Sequence, residues 1–292
     1  MYFCAVMNTK LKGTVCGILA AVCYGLNPLA LFLYADGYSV NTALFYRYFL
    51  AVILLAAMVV AKKERFGLTL PEFKVTAVLG VAFSASSLTF YNSFKLMDAG
   101  ISCTMLFAYP IMVALIMAVL FKEKLRLTTI ISLILAISGI FLLYYGDDSS
   151  NISLAGTILV LISALTYAIY IVVVNKSAVQ MSSYKLTMYV LLFCSVIVSI
   201  YSLFTEPLQL LTTAHAWGVA TVLAVGPALL SLVLMTVAVQ CIGSTPTAII
   251  GALEPITAVC IGVLVFHENF SLQMAVGMLL VLSAVVMIVT RN

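Results

Sequence analysis

Charged residues are scarce in this chain. Only 8% of its 292 residues are Asp, Glu, Lys or Arg, and 64% are hydrophobic. A soluble domain carries roughly a quarter charged residues, so a soluble globular protein is excluded and an integral membrane protein is indicated. The net charge of +4 does not indicate nucleic-acid binding, because the basic residues stand in short clusters between apolar runs.

Sequence motifs of several function classes are also absent. The dipeptide Gly-Lys never occurs, which excludes the phosphate-binding loop of an ATP-driven pump. There are two histidines, no HExxH sequence and no CxxC spacing among the seven cysteines. We therefore expect no enzyme, no metal site, no cofactor and no disulfide framework.

Ten apolar runs reach the length of about 20 residues that a membrane helix needs. They cover residues 13–34, 41–61, 73–96, 100–121, 128–146, 154–175, 185–204, 216–239, 246–266 and 271–290. We expect an all-α integral membrane protein of ten transmembrane helices, with the first one retained instead of cleaved as a signal peptide. The connecting segments are short, so we expect no soluble domain and a monomer in the lipid bilayer.

The basic residues predict the orientation, because Lys and Arg stay on the cytoplasmic side. With the N-terminus inside, 12 of the 14 Lys and Arg residues are cytoplasmic, and the outer loops carry acidic residues. This pattern predicts a multi-pass protein of a bacterial inner membrane with both termini in the cytoplasm. Arg47 and Lys95 are the two exceptions and become candidates for function.

The two halves of the chain resemble each other in sequence. At a constant offset of 145 residues Pro110 aligns with Pro255 and Phe121 with Phe266. We infer two five-helix repeats, residues 13–146 and 154–290, and because five is odd the second is inverted relative to the first. The charges agree, since the basic "KEKLR" loop of the first half corresponds to "HENFS" in the second.

Inverted repeats predict a mechanism, because exchanging the conformations of the halves moves the opening of a cavity from one side to the other. The substrate then binds near the membrane midplane, where discontinuous helices are expected. Pro110 and Pro255 indicate such interruptions, and Pro28 adds a third in the first span. Glu254 is expected about eight residues into its helix, roughly 12 Å from the inner face.

The half-chain pattern resembles a known family. An arginine in the second span ("YRYFLAVILL"), an aromatic third span ("FYNSFKLMDAG"), an early proline in the fourth, then "FKEKLRL" and a late glycine in the fifth are similar to one EamA domain. The second half, with "LEPITAVCIGVLVFHENFSL", resembles another. The resemblance implies the ten-helix EamA branch of the drug/metabolite transporter superfamily, whose members move amino acids and other small metabolites.

The candidate site combines charged, polar and aromatic residues. Glu254 is expected to bind the cationic group of a substrate or a coupling proton, and the alternative is a structural acid bonded to a neighbouring helix. The other substrate or coupling candidates are Arg47, Lys95, Gln240, Tyr91, Tyr109, Asn27 and Tyr167, and Tyr24 and Tyr170 are further aromatic residues. A stripe of small residues, Gly13, Gly17, Ala21 and Gly25, predicts close helix packing.

Together these features predict a secondary transporter working by alternating access. Its partners would be a small-molecule substrate, with protons as candidate coupling ions, and export of amino acids or related compounds is the first expectation. Multidrug or cation efflux by proton exchange, and passive facilitation, stay open as alternatives.

Overall fold

The computed structural model describes residues 2–122, 127–144, 153–177, 181–242, 247, 250–251 and 253–291, and all the regular structure among them is helical. The helices are α1 (Tyr2–Tyr24), α2 (Ala30–Ala35), α3 (Val40–Ala61), α4 (Leu70–Ser93), α5 (Ala99–Leu106), α6 (Tyr109–Phe121), α7 (Leu127–Tyr144), α8 (Leu154–Lys176), α9 (Ser183–Ser202), α10 (Ala214–Leu223), α11 (Ser231–Ile242), α12 (Leu253–Phe266) and α13 (Leu272–Arg291). The 3-10 turn Asn27–Leu29 joins α1 to α2, and the π-helical segment Ala224–Leu230 joins α10 to α11. The all-α prediction is confirmed for this part of the chain.

Helical segments that fit a membrane run through the whole fold. Among the described residues, seven are long and apolar enough to span a bilayer, and three more apolar helices are shorter. Large apolar side chains such as Val119, Leu264 and Leu279 are more than half exposed. Lipid tails solvate such surfaces, whereas the backbone must be satisfied internally, which a helix achieves.

Side chains cap the N-termini of several helices, where backbone N–H groups would otherwise lack hydrogen-bond partners. Among the described residues, five helices begin after a serine or threonine whose hydroxyl oxygen accepts a backbone N–H of the first turn, namely Ser39, Ser153, Ser182, Thr213 and Ser271. Such caps stabilise a helix by about 1 kcal/mol in water. The polar residues between the apolar runs therefore set where the helices begin.

Helices pair across the two halves of the chain in a regular way. Helices α3 and α9 pack together, as do α7 and α13, and each of these two pairs joins corresponding elements of the two repeats. Helix α5 packs on α12, so the first part of the fourth apolar run contacts the second part of the ninth. Helix α1 packs on α11, and α8 packs on α4. These last two pairings convert into one another when the halves are exchanged.

The two ends of the bundle differ in the charged residues that they carry. What we call the basic end carries Lys62 and Lys63 after α3, and there the Lys185 ammonium donates to the carbonyl of Gly67 at 2.7 Å. At the opposite, acidic end, His215 Nδ1 lies 2.9 Å from Asp36 Oδ2. The separation follows the charge asymmetry of the sequence.

Four of the predicted spans are interrupted within the described residues, and the eighth contains the π-helical segment Ala224–Leu230. Instead of one helix over 100–121, α5 and α6 meet at a turn over Phe107 and Ala108, and the first run divides into α1, the 3-10 turn and α2. The ninth run turns at Gly251 before α12 begins at Leu253. The expected place of Glu254 was therefore wrong, because it lies in the first turn of α12 and not eight residues into a helix.

Corresponding helix ends of the two halves share an unusual backbone conformation. Lys122 after α6 has φ 55° and His267 after α12 has φ 56°. Residues other than glycine rarely adopt this left-handed region, and these two stand 145 positions apart. The sequence repeat thus extends to the backbone even where its side chains differ.

Small residues allow helices to approach closely. A Cβ at Gly13 would lie 2.6 Å from the Cβ of Cys241 on α11, and one at Gly80 would lie 2.4 Å from the Cβ of Phe193 on α9. The close packing predicted for the stripe on α1 is confirmed at Gly13. Gly218, in contrast, has nothing within 4 Å of an added Cβ.

The substitution Gly80→Ala should destabilise the protein, because α4 has to move away from α9 to admit the methyl group. Overpacking of this kind costs about 1–3 kcal/mol, so the apparent Tm in detergent should fall by several degrees. Gly218→Ala is the matched control and should leave Tm unchanged or slightly raised. Equal Tm values for the two variants would contradict the close contact.

Candidate functional site

Three interrupted segments meet inside the bundle. A Cβ at Gly25 would lie 2.6 Å from the Cβ of Thr257 and 2.8 Å from the carbonyl oxygen of Glu254. A Cβ at Gly226, in the π-helical segment, would lie 3.1 Å from the Leu26 side chain. Glycine is required at position 25 for the turn after α1 to contact the first turn of α12. The breaks in the first, eighth and ninth apolar runs therefore form one contact region.

Prolines fit the starts of the new helices. Pro28 lies in the first turn of the 3-10 segment, Pro110 in that of α6 and Pro255 in that of α12. First-turn N–H groups have no intrahelical acceptor, so a missing one costs little there. The chain continues through turn bonds, with Ile111 N–H donating to Ala108 at 3.1 Å and Glu254 N–H to Gly251 at 2.9 Å.

Glu254 lies in this region and is half-buried. Among the residues that the structure describes, no Lys, Arg or His nitrogen lies within 4 Å of its carboxylate. An acid away from bulk water and without a cationic partner is costly to keep charged. A bound proton or a nearby cation would therefore lower the free energy of this side chain.

Tyrosines surround Glu254. Tyr24 at the end of α1, Tyr109 at the start of α6 and Tyr167 on α8 all lie within electrostatic range of its carboxylate. The rings of Tyr109 and Tyr167 meet edge to face with centroids 4.7 Å apart, and Tyr170 stacks on Tyr167 at 5.8 Å. All four tyrosines are partly exposed.

Arg47 lies in a polar layer beside these tyrosines. Its side chain is only 3% exposed, and its Nη1 donates to the Tyr91 hydroxyl at 2.5 Å. That hydroxyl donates to Asn27 Oδ1 at 3.0 Å, and Asn27 Nδ2 donates to the carbonyl of Tyr24 at 2.7 Å. Arg47 thus fixes, through two side chains, the turn that carries Tyr24.

No carboxylate within the described parts of the chain pairs with Arg47. Its guanidinium lies 5.3 Å from the ring centroid of Tyr91 and 5.8 Å from that of Tyr48. Its Nε has no hydrogen-bond partner. Cation–π contact therefore replaces an ion pair, and the positive charge stays available to the electrostatics of the site.

The other candidates fall in different places. Lys95 lies at the acidic end after α4, partly exposed and 3.3 Å from Glu206, so it does not join Arg47 and Glu254. Lys95 was a candidate because it departs from the pattern of the basic residues. Its partner Glu206 lies 111 residues away, so the local sequence does not reveal the pair. Gln240 lies on α11, and its side chain is outside the described residues.

Comparison with known proteins identifies the family. The EamA-like transporter family matches residues 11–145 and again residues 154–290. The chain belongs to the EamA-like transporter family. This confirms the resemblance seen in the sequence, and it shows a multi-pass membrane transporter in agreement with the expectation that the chain is not an enzyme.

Comparison of the fold adds a structural relative. One crystal structure of a protein is similar to this fold, with a TM-score of 0.63 and 17% sequence identity. The matched region includes 94% of this chain and 95% of the chain in that structure. At this identity the likeness shows the shared fold alone. No curated protein matches this EamA-like transporter in sequence.

The polar layer predicts unequal roles for two neighbouring tyrosines. Tyr91→Phe keeps the ring beside Arg47 but removes the hydroxyl that joins Arg47 to Asn27, and stranding buried polar groups costs about 1–3 kcal/mol. The Tyr48 hydroxyl lies near Ser87 without a hydrogen bond of normal geometry. Tyr48→Phe is therefore the matched control.

Thermal unfolding in detergent distinguishes the two variants. Tyr91→Phe should lower Tm and Tyr48→Phe should leave it unchanged or raise it. A loss of stability confined to Tyr48→Phe would overturn the assigned layer.

Proposed function

We propose that this EamA-like transporter moves small metabolites by alternating access between two inverted five-helix halves, residues 13–146 and 154–290. The symmetric helix pairings support this proposal, as do the matched positions Pro110 with Pro255 and Lys122 with His267. An inverted repeat gives two conformations of equal type that open a central site to opposite sides. Ten membrane spans follow if the three shorter apolar helices also cross.

The site lies between two groups of helices. Helices α1, α11 and α12 contact each other through α1, and α4, α6 and α8 contact each other through α8. The first group carries Glu254 and Tyr24, and the second carries Tyr109 and Tyr167. Movement of one group against the other therefore changes the surroundings of Glu254, as a transport cycle requires.

The chemistry of the site favours a substrate with a cationic amine. The observation that carries this is Glu254, an acid without a described cationic partner and among tyrosine rings that also attract cations. Tyr24 lies within electrostatic range of both Glu254 and Arg47, so a zwitterion fits with its ammonium at Glu254 and its carboxylate toward Arg47. We therefore propose amino acids or related compounds as substrates, and export as the direction.

Two other functions use the same features. If Glu254 exchanges a proton for a cationic drug, the protein is a proton-coupled efflux transporter. If both ends can be open at the same time, the protein is a passive facilitator that acts like a channel, and its flux would then lack counterflow. Uptake into proteoliposomes preloaded with unlabelled amino acids distinguishes these cases, because accelerated exchange requires a binding site that alternates.

The proposed orientation places the basic end in the cytoplasm, with both termini there, in a bacterial inner membrane. It rests on the preference of Lys and Arg for the cytoplasmic side. The acidic end then faces outward.

Cysteines at Lys122 and His267 test the inversion. Both positions are exposed and have the same backbone conformation in their own halves. In a cysteine-free protein, impermeant thiol reagents should label Lys122→Cys only from the cytoplasmic side and His267→Cys only from outside. Labelling of both from one side would exclude inverted halves.

The substitution Glu254→Gln tests the role of the acid. It keeps shape and hydrogen bonding but removes titration and charge, so it should abolish pH-dependent net transport and weaken binding of amine substrates at least about tenfold. Exchange of preloaded substrate should survive if Glu254 carries the coupling proton. Glu206→Gln, at the exposed acidic end, is the matched control.

The pH profile of net uptake into proteoliposomes is the measurement. A Glu254→Gln protein with unchanged rate, affinity and pH profile would leave Glu254 a structural acid.

A further inference from the structure

Glu268 joins the two halves at the acidic end. Its Oε1 accepts the backbone N–H of Ala99 at 2.8 Å, and its Oε2 accepts that of Gly100 at 3.2 Å. These are the first two residues of α5, whereas Glu268 follows α12. A carboxylate from the second repeat thus caps a helix of the first.

Asp98 makes this contact unexpected. It occupies the N-cap position of α5, where aspartate ordinarily accepts an N–H of the first turn, yet its side chain makes no such bond. Burial raises the pKa of its carboxyl. The helix therefore carries a capping residue of its own that stands unused beside the cap from the other half.

Both carboxyls compete for the same helix start. Burial raises the pKa of the Glu268 carboxyl, the bonds from Ala99 and Gly100 oppose that rise, and the charge of Asp98 adds to it. Two like charges near one pair of donors disfavour each other. The arrangement is held by the bonds that Glu268 makes and is opposed by its acidic neighbour.

The contact lies at the acidic end, where α5 and α12 pack closely. A Cβ at Gly100 would lie 3.1 Å from Val259, and one at Gly262 would lie 2.0 Å from Glu268 Oε2. At the same end the rings of Phe32 and Phe266 are 5.0 Å apart. Helices α5 and α12 are therefore in direct contact at the acidic end.

We propose that Glu268 is the latch of the gate at the acidic end, and that Asp98 replaces it as the cap of α5 when the gate opens. The proposal rests on alternating access as the function. While Glu268 holds α5, the two helix groups are joined and the path outward is closed. When α5 moves away, Asp98 satisfies the freed N–H groups, so opening leaves no helix start without an acceptor.

Cys103 reports the state of this gate. It lies on α5, is 5% exposed, and is within electrostatic range of both Glu254 and Glu268. With the other six of the seven cysteines replaced, the rate at which an impermeant maleimide labels Cys103 measures opening. The reagent is applied to sealed vesicles from the face on which His267→Cys is labelled.

Glu268→Gln should raise this labelling rate about five- to tenfold, because neutral acceptors bond more weakly than charged ones. Gly262→Ala should raise it similarly, since its methyl group displaces the carboxylate without changing Glu268. Asp98→Ala should lower the rate below that of the parent protein, because the open gate loses its cap. A general loosening of the fold would raise the labelling rate in all three variants. A latch predicts a higher rate in two of them and a lower rate in Asp98→Ala.

Unchanged labelling in Glu268→Gln and Gly262→Ala, or faster labelling in Asp98→Ala, would overturn the latch. These rates are measured without substrate, so the latch and the proposed function fail separately. Labelling that follows the expected order while no solute exchange occurs in the parent protein would support the gate and refute the transport proposal. Solute exchange with unaltered labelling would do the reverse.

Discussion

A helix that breaks inside a membrane leaves backbone groups that lipid cannot satisfy, and the centre of this protein is arranged around that constraint. The breaks in the first, eighth and ninth apolar runs lie against each other, with Gly25 contacting the first turn of α12 and Gly226 contacting Leu26. Non-helical backbone at this depth is tolerated only within protein or beside a water-filled space. The same constraint brings polar groups and Glu254 to one place, so the binding chemistry follows from how the breaks are satisfied.

The two halves of the chain differ in local structure. Helix α8 runs without a break from Leu154 to Lys176, whereas its counterpart, the first apolar run, is interrupted at Asn27. Helix α4 is likewise regular, and its counterpart contains the π-helical segment with Pro227. Among the described residues, the group that carries Glu254 thus contains three of the four interruptions, and the other group contains one, at the start of α6.

Much of this structure could be predicted from the sequence because apolar length and proline position are local signals. The helical class and the family were read correctly from the sequence. The turn at Gly251 was missed, since an uninterrupted apolar run looks alike whether one helix or two half-helices cover it. The glycine three residues before Glu254 was the available signal.

Long-range partners were the part that the sequence could not supply. Tyr91 bonds to Arg47 from 44 residues away, and Glu268 reaches Ala99 across 169 residues. Neither separation leaves a mark on local periodicity. Glu123, which corresponds to Glu268 at the offset of 145 residues, lies outside the described residues.

The central claim is that the two helix groups move against each other around Glu254 and open one end at a time. Distances between pairs of spin labels test it most directly, with one pair across α5 and α12 at the acidic end and another across α6 and α1 at the basic end. Addition of an amine substrate should shift the two distance distributions in opposite directions, one lengthening as the other shortens. Two distributions that lengthen together, or that do not respond although the substrate binds, would contradict alternating access.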